Sequence, residues 1–571
     1  MSTSNVPGQP LKPWWHSAVV YQIYPRSFQD SDGDGVGDVR GIVQRLDYLH
    51  ELGVDVIWLS PVYQSPFEDN GYDISDYRAL DPVFGTLEDL DELLDGLHER
   101  GMKLIMDLVV NHTSDQHPWF QESRASKDSP KRDWYIWRPP VLDANGDHRP
   151  PTNWRSFFSG PTWEWDTQTQ EYYLHLFAST QPDLNWENPE VRQAVYEMMN
   201  WWLDRGVDGF RMDVINLISK PQTLRDGPTG PDGLGDGFDQ YSFGPRLHEY
   251  LQEMHREVWA DRVGVFTVGE MPGATPEQAI LSTSPERGEL DVVFQFEHVE
   301  VDHGPHGKFE QVTLQRRKLV DALFRWQRSV NDKGWNSLYL NNHDQPRLVS
   351  RFGDEQHWYA SATALATLLH LLRGTPFIFQ GEEIGMTNAG FRKVGQYRDI
   401  ETLNVLQDAG VSSDPDADVP SRIAYMSRDN ARTPMQWSDE PNAGFSIGSP
   451  WIEVNPNYKS VNASLQRTDE RSILAWYKKL IRLRHELPVI AEGDFQEAPT
   501  GDDLLVRYER RLDDTVLTVI VNLQSERASV VTPVPQHAHV LLTNVESPSL
   551  EVFGPWEARV MLENRRKEIM E

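Results

Sequence analysis

Nearly continuous apolar runs, most followed by a stretch with helical spacing, recur along this chain. They fall at 18–28 (AVVYQIYPRSF), 54–62 (VDVIWLSPV), 102–110 (MKLIMDLVV), 207–213, 265–270, 291–297, 335–341 and 375–380. Runs that do not alternate are what strands buried on both faces require. Between them, Ile42, Val43, Leu46, Leu49 and Leu52 share one helical face and stop at Gly53, and the amphipathic stretch 87–100 stops at Gly101. Glycine just past the last apolar residue is a helix-ending signal. Eight strand-then-helix units predict a parallel (β/α)8 barrel, an α/β fold whose active site lies at the C-terminal rim of the strands.

Two interruptions add architecture. About 95 residues separate the third and fourth runs, too many for a connection, so residues 112–183 form an inserted, loop-rich domain. A second insertion, about 386–460, follows the eighth run, and a helix over about 468–486 completes the barrel. The barrel domain is therefore 1–111 and 184–490. From 491 to 571 the pattern turns to short strands such as 504–511 and 515–523, a C-terminal antiparallel β-sandwich.

Three of the runs end in an acid: Gly209-Phe-Arg-Met-Asp213, Thr267-Val-Gly-Glu270 and Leu340-Asn-Asn-His-Asp344. Carboxylates converging at a barrel rim suit cleavage of a bond that needs protonation, a glycosidic bond first among them. Arg211, two residues before Asp213 on an alternating strand, predicts an ionised carboxylate there, as a nucleophile requires. Burial of Glu270 at its strand end predicts a raised pKa, useful to a general acid. Asp107 lies inside the third run and reads as a structural acid.

Composition narrows the chemistry. The 571 residues carry a net charge of -33, which argues against nucleic acid and anionic membrane surfaces as partners. There are no cysteines, which excludes disulfides, thiol catalysis and zinc–thiolate sites. The polar segment Met1–Pro13 has no signal-like core, and no run is long enough to span a membrane. A cytoplasmic protein acting on a small neutral substrate is the expectation. Trp134, Trp137, Trp154, Trp163 and Trp165 crowd a polar stretch and predict a wall of stacking faces for sugar rings.

Asp30-Ser-Asp-Gly-Asp-Gly-Val-Gly-Asp38 places acids at loop positions 1, 3, 5 and 9, with Gly35 at the turn and the Val36 carbonyl at position 7. That predicts a structural Ca2+ site (or Mg2+) built from Asp30, Asp32, Asp34, Val36 and Asp38, although Gly41 replaces the usual bidentate Glu at position 12.

Taken together, YQIYPRSF, DNGYDISDY, DLVVNH, GFRMDV, VGE, NNHD, GTPFIFQGEEIGM and SRDNARTPMQW resemble glycoside hydrolase family 13, the α-amylase family, and within it the oligo-1,6-glucosidase and α-glucosidase group. The resemblance covers nearly the whole chain. It implies Asp213 as nucleophile, Glu270 as acid/base and Asp344 as transition-state stabiliser. It also implies that Asp69, Tyr72, His112, Arg211, His343 and Arg432 hold the terminal glucose, with Phe177 and Gln181 adding contacts from the inserted domain. Val214, directly after Asp213, resembles the α-1,6 pattern of that group. The resemblance leaves open an α-1,4 preference, a transglucosylase or isomerase acting on sucrose or trehalose, and a phosphotrehalase. A non-catalytic barrel of the transporter-escort type would lack the acids and carry an anchor.

Overall fold

The computed structural model describes residues 13–564 apart from 144, 231, 306, 311, 532–537, 547 and 550. The polar N-terminal segment, all but Pro13, lies outside the described residues.

Eight parallel strands form one sheet: β1 (Val20–Ile23), β2 (Val56–Leu59), β3 (Lys103–Leu108), β4 (Gly209–Met212), β5 (Phe266–Glu270), β6 (Val292–Phe294), β7 (Ser337–Leu338) and β8 (Thr375–Phe379). Their order is β6-β5-β4-β3-β2-β1-β8-β7, and a parallel bridge between Val293 and Asn336 joins the two ends into a barrel. The strands are shorter than the apolar runs. The first run bends at Pro25–Ser27 into a 3-10 turn, and the seventh keeps only two paired residues.

Helices follow the strands. Thr86 and Asp89 cap Leu87–Glu99 reciprocally, satisfying amide groups that a helix start leaves unpaired. The run predicted as one helix over 42–52 is two, Val39–Val43 and Leu46–Leu52. At the break, Arg45 lies over the Trp437 ring at 4.1 Å and donates to Gln29 Oε1. The closing helix is Ile473–Glu486, begun by Ser472, whose side chain accepts from the Ala475 amide.

Strand alternation divides the core in two. Tyr21, Ile23, Ile57, Leu59, Leu104, Met106, Phe210 and Met212 face outward into the helix layer. Val20, Val56, Trp58, Ile105, Phe266, Val268, Val292, Phe294 and Phe377 fill the barrel itself.

The excursion after β3 builds a three-stranded antiparallel sheet from Trp137–Arg138, Trp163–Asp166 and Glu171–Leu174. Its tryptophans do not wall a cleft. Trp154 and Trp163 are fully buried with Leu174, Leu217 and Tyr241, and Trp134 and Trp137 are buried as well. Trp165 packs edge-on to Tyr172. So small a sheet has little aliphatic surface to bury, and large aromatic rings supply its core. The C-terminal unit is a five-stranded antiparallel sheet with a two-stranded companion, docked on the barrel partly through Tyr508, whose hydroxyl donates to the Leu368 carbonyl.

Candidate active site

The alternation that fills the barrel with apolar side chains continues to its C-terminal end, but there the inward positions turn polar. Gln22 follows Val20, Asp107 follows Ile105, Arg211 follows Gly209 and Glu270 follows Val268. Asp107 and Arg211 are wholly buried. Register sets the acids side by side. Met212 pairs with Gly269 across β4 and β5, so Asp213 stands opposite Glu270 on strands about 4.8 Å apart. The Asp213 amide donates to the Leu108 carbonyl of β3 at 2.9 Å.

Arg211 is the hub. Its Nη1 reaches Asp107 Oδ1 and Asp213 Oδ1, each at 2.7 Å, and its Nη2 reaches Glu270 Oε1 at 2.5 Å. Asp107 also accepts from Trp58 and from the Tyr72 hydroxyl, both at 3.0 Å. One guanidinium therefore faces three carboxylates. Burial lifts the Asp213 carboxyl well above its usual range; Arg211 opposes the rise and the neighbouring Glu270 charge adds to it. Arg211 thus opposes burial at Asp213, the effect the sequence assigned to it, but its charge is shared with Asp107 and Glu270.

Asp344 behaves oppositely. Burial would raise it, yet His343, Arg428 and Arg432 hold it well below the carboxylate range. Its Oδ1 takes Arg432 Nη2 at 2.7 Å and Arg428 Nη1 at 3.3 Å, and its Oδ2 faces His343 Nε2 at 3.1 Å.

A cavity of about 250 Å³ opens above these acids. Asp69, Tyr72, His112, Phe177, Asp213, Val214, Glu270 and Asp344 line it. Four other sequence-predicted residues stand behind the wall. Gln181 is buried and donates to Asp69 Oδ2 and the Tyr72 carbonyl, both at 3.2 Å. Arg211 is the hub below, His343 lies flat against Tyr72 at 5.1 Å, and Arg432 donates to the His343 carbonyl at 3.1 Å. Burial pushes His112 down to about 4, leaving a neutral imidazole. Burial also raises Asp69 to about 6, against the pull of Arg428 and Arg432.

Val214 adopts φ 35° and ψ 42°, a left-handed conformation that β-branched residues avoid. The twist carries its amide to Glu270 Oε2 at 3.1 Å and packs its side chain in the aromatic core of the excursion.

Sequence reasoning missed Arg428. It lines the cavity and reaches Asp69 at 3.1 Å, Asp344 at 3.3 Å and Asp399 at 2.5 Å. Its signal was the SRDNARTPMQW segment, which held two buried arginines rather than one. Phe157 and Phe158 supply the aromatic faces predicted for the tryptophans.

At the acidic loop, carboxylate oxygens of Asp30, Asp32 and Asp38 lie within 4.8 Å of one another. All are hard oxygen donors of the kind Ca2+ or Mg2+ takes. Asp34 stays outside that group and accepts the Val36 amide at 2.7 Å. Position 12 has no room for a ligand side chain, since a Cβ on Gly41 would sit 1.9 Å from the Gln29 carbonyl oxygen. The Gly41 amide instead donates to Asp38 Oδ1 at 2.7 Å.

A (β/α)8 barrel with paired buried acids at its rim and a small cavity of acids and aromatic rings above them is the architecture of a glycoside hydrolase. The model of the α-amylase catalytic domain matches residues 22–493, and the chain belongs to that family. It is 54% identical over 561 residues to the oligo-1,6-glucosidase of Parageobacillus thermoglucosidasius, covering 96% of this chain and 98% of that one. Among solved structures it resembles the trehalose-6-phosphate hydrolase of Bacillus licheniformis (46% identity, 96% and 100% of the two chains, TM-score 0.88). It also resembles an isomaltulose synthase mutant from Erwinia rhapontici (38%, 97% and 100%, TM-score 0.91). No helix among the described residues is long and apolar enough to cross a membrane.

Proposed function

We propose that this protein is a retaining, exo-acting α-glucosidase that releases glucose from short oligosaccharides and favours α-1,6 links of the isomaltose type. The observation that carries the chemistry is Asp213 and Glu270 on adjacent strands and one guanidinium. Both carboxyls touch the same guanidinium, at 2.7 and 2.5 Å, a closeness that suits the roughly 5–5.5 Å between carboxyls of retaining enzymes rather than the 6.5–9.5 Å of inverting ones.

In this reading Asp213 attacks the anomeric carbon while Glu270, steered by the Val214 amide, protonates the departing oxygen. Glu270 then takes a proton from the water that frees the glucose. Asp213 attacks as the carboxylate beside the Arg211 guanidinium, which reaches Glu270 as well. Asp344, held ionised by its cationic neighbours, grips sugar hydroxyls and favours the positive charge that develops on the ring.

A cavity of about 250 Å³ falls below the roughly 300–1,000 Å³ of drug-sized sites, which suits a terminal sugar better than a polymer. The Asp69–Arg428 bridge would close its far end. Charge supports a neutral substrate. Both cations lining the cavity, Lys308 and Arg428, are paired, Lys308 to Glu401 at 2.5 Å and Arg428 to three aspartates. Burial keeps His303 down at about 3. A phosphorylated disaccharide would find no unpaired cation among the described lining residues. The α-1,6 preference rests on Val214 in the cavity wall and on the similarity to oligo-1,6-glucosidases.

Asp30, Asp32 and Asp38 would hold a Ca2+ or Mg2+ whose charge offsets theirs and ties the β1 loop together. Thermal unfolding should then move upward on adding Ca2+, and an Asp32→Asn variant should not respond.

Proton NMR of isomaltose hydrolysis tests the chemistry. The glucose released from the cleaved bond should appear first as the α-anomer; β-glucose appearing first would reject a retaining mechanism. Disaccharide products with little free glucose would favour an isomerase instead.

A further inference from the structure

We propose that Gln22, an inward residue of β1 with no place in the chemistry above, is a positioning residue that sets the tautomer of His343 and through it the orientation of Asp344. The inference rests on the reading of Asp344 as the carboxylate that grips the sugar.

Gln22 is buried inside the barrel. Its Nε2 lies 3.1 Å from Ser60 Oγ and 2.8 Å from His343 Nδ1. An amide NH2 group has two protons and no acceptor capacity. Ser60 takes one proton, so the other goes to His343, and Nδ1 must present its lone pair. The ring proton is then on Nε2, the nitrogen that faces Asp344 Oδ2 at 3.1 Å. With the opposite tautomer two lone pairs would meet there. The partner of one ring nitrogen thus dictates what the other offers.

The ring has no freedom to escape this choice. Tyr72 lies parallel to one side at 5.1 Å and 7°, Tyr24 is near-parallel at 6.2 Å and 18°, and Trp58 stands edge-on at 5.9 Å. Asp344 needs the contact for a definite reason. Arg432 and Arg428 both bind its Oδ1, so among the described contacts His343 is what orients Oδ2. A carboxylate aimed at hydroxyls must hold its position closely, because small misplacements cost rate steeply.

Two substitutions separate this role from space filling. Gln22→Leu keeps much of the bulk and removes the donor. Gln22→Glu satisfies Nδ1 in either charge state: a protonated carboxyl donates to it, and a carboxylate accepts from an imidazolium that still carries a proton on Nε2. The expected order of kcat/KM on isomaltose is wild type, then Gln22→Glu, then Gln22→Leu. The Leu variant should lose about 10- to 100-fold, the scale seen when the partner that orients a metal-binding histidine is removed. Packing alone predicts the reverse order, because Leu fits an apolar barrel better than Glu.

Ring 15N NMR of the wild type, with His343 assigned by its loss in His343→Asn, reads the tautomer with no turnover needed. A protonated Nε2 and bare Nδ1 support the proposal; the opposite tautomer overturns it, as does Leu matching or exceeding Glu in activity. Should Gln22→Leu not fold, the wild-type spectrum still decides. Asp344→Asn keeps the two readings apart. If it retains activity, the role of Asp344 fails; if it is inactive while Gln22→Leu is fully active, only the role of Gln22 fails.

Discussion

The two ends of the barrel use the same strands and the same alternation for opposite purposes. Toward the N-terminal end, inward positions are Val20, Val56, Ile105, Phe266, Val268 and Phe377, each contributing roughly 1.5–3 kcal/mol by leaving water. Two residues beyond Val20, Ile105, Gly209 and Val268 stand Gln22, Asp107, Arg211 and Glu270, where burial works against the charges and only mutual pairing offsets it. Stability comes from one end and reactivity from the other, separated by a single pleat. The charged cluster rests on a packed layer of buried side chains.

The comparison breaks most visibly at Asp213. Asp213→Asn should cost on the order of 10⁴-fold or more in kcat. Because it removes a carboxyl that burial already pushes toward protonation, the variant should unfold no earlier than wild type. A matching loss of melting temperature would mean that the acid is structural.

At the apolar end the outcome inverts. Phe377→Ala should destabilise by about 3–5 kcal/mol in denaturant titrations, while protein that remains folded keeps its KM for isomaltose. A changed KM with unchanged stability would show that the two ends are not separable.

Asp69 sharpens the contrast through pH. Its folded pKa of about 6 is raised from 3.8 by burial. Protonated Asp69 therefore favours the fold below about pH 4, and that contribution is lost as pH rises through 6. Asp69→Asn should gain stability relative to wild type over this window, by about 2–3 kcal/mol in all. A constant difference across pH 4–7 would contradict the assignment.

What the sequence revealed follows the range of the interactions involved. Eight strands were legible because burial on both faces leaves continuous apolar runs, and Gly53 and Gly101 marked helix ends because the backbone there needs a left-handed turn, φ 93° and 74°. The acids were legible because each ends such a run. The pairing of Arg428 with Asp69, 359 positions away, left no local trace. Nor did the sharing of Arg211 among three carboxylates, or the position of Gln22, a polar residue in an apolar strand. The tryptophans of the excursion misled because a stretch that reads as a polar loop encloses its own small core.

The central claim is that the polar end of this barrel cleaves the terminal α-1,6 bond of a neutral sugar. It is tested most directly by kcat/KM on isomaltose, maltose and trehalose-6-phosphate, side by side. The account predicts isomaltose first by at least tenfold, the scale on which a side chain such as Val214 discriminates, with trehalose-6-phosphate hardly turned over. Preference for maltose or for trehalose-6-phosphate would contradict it.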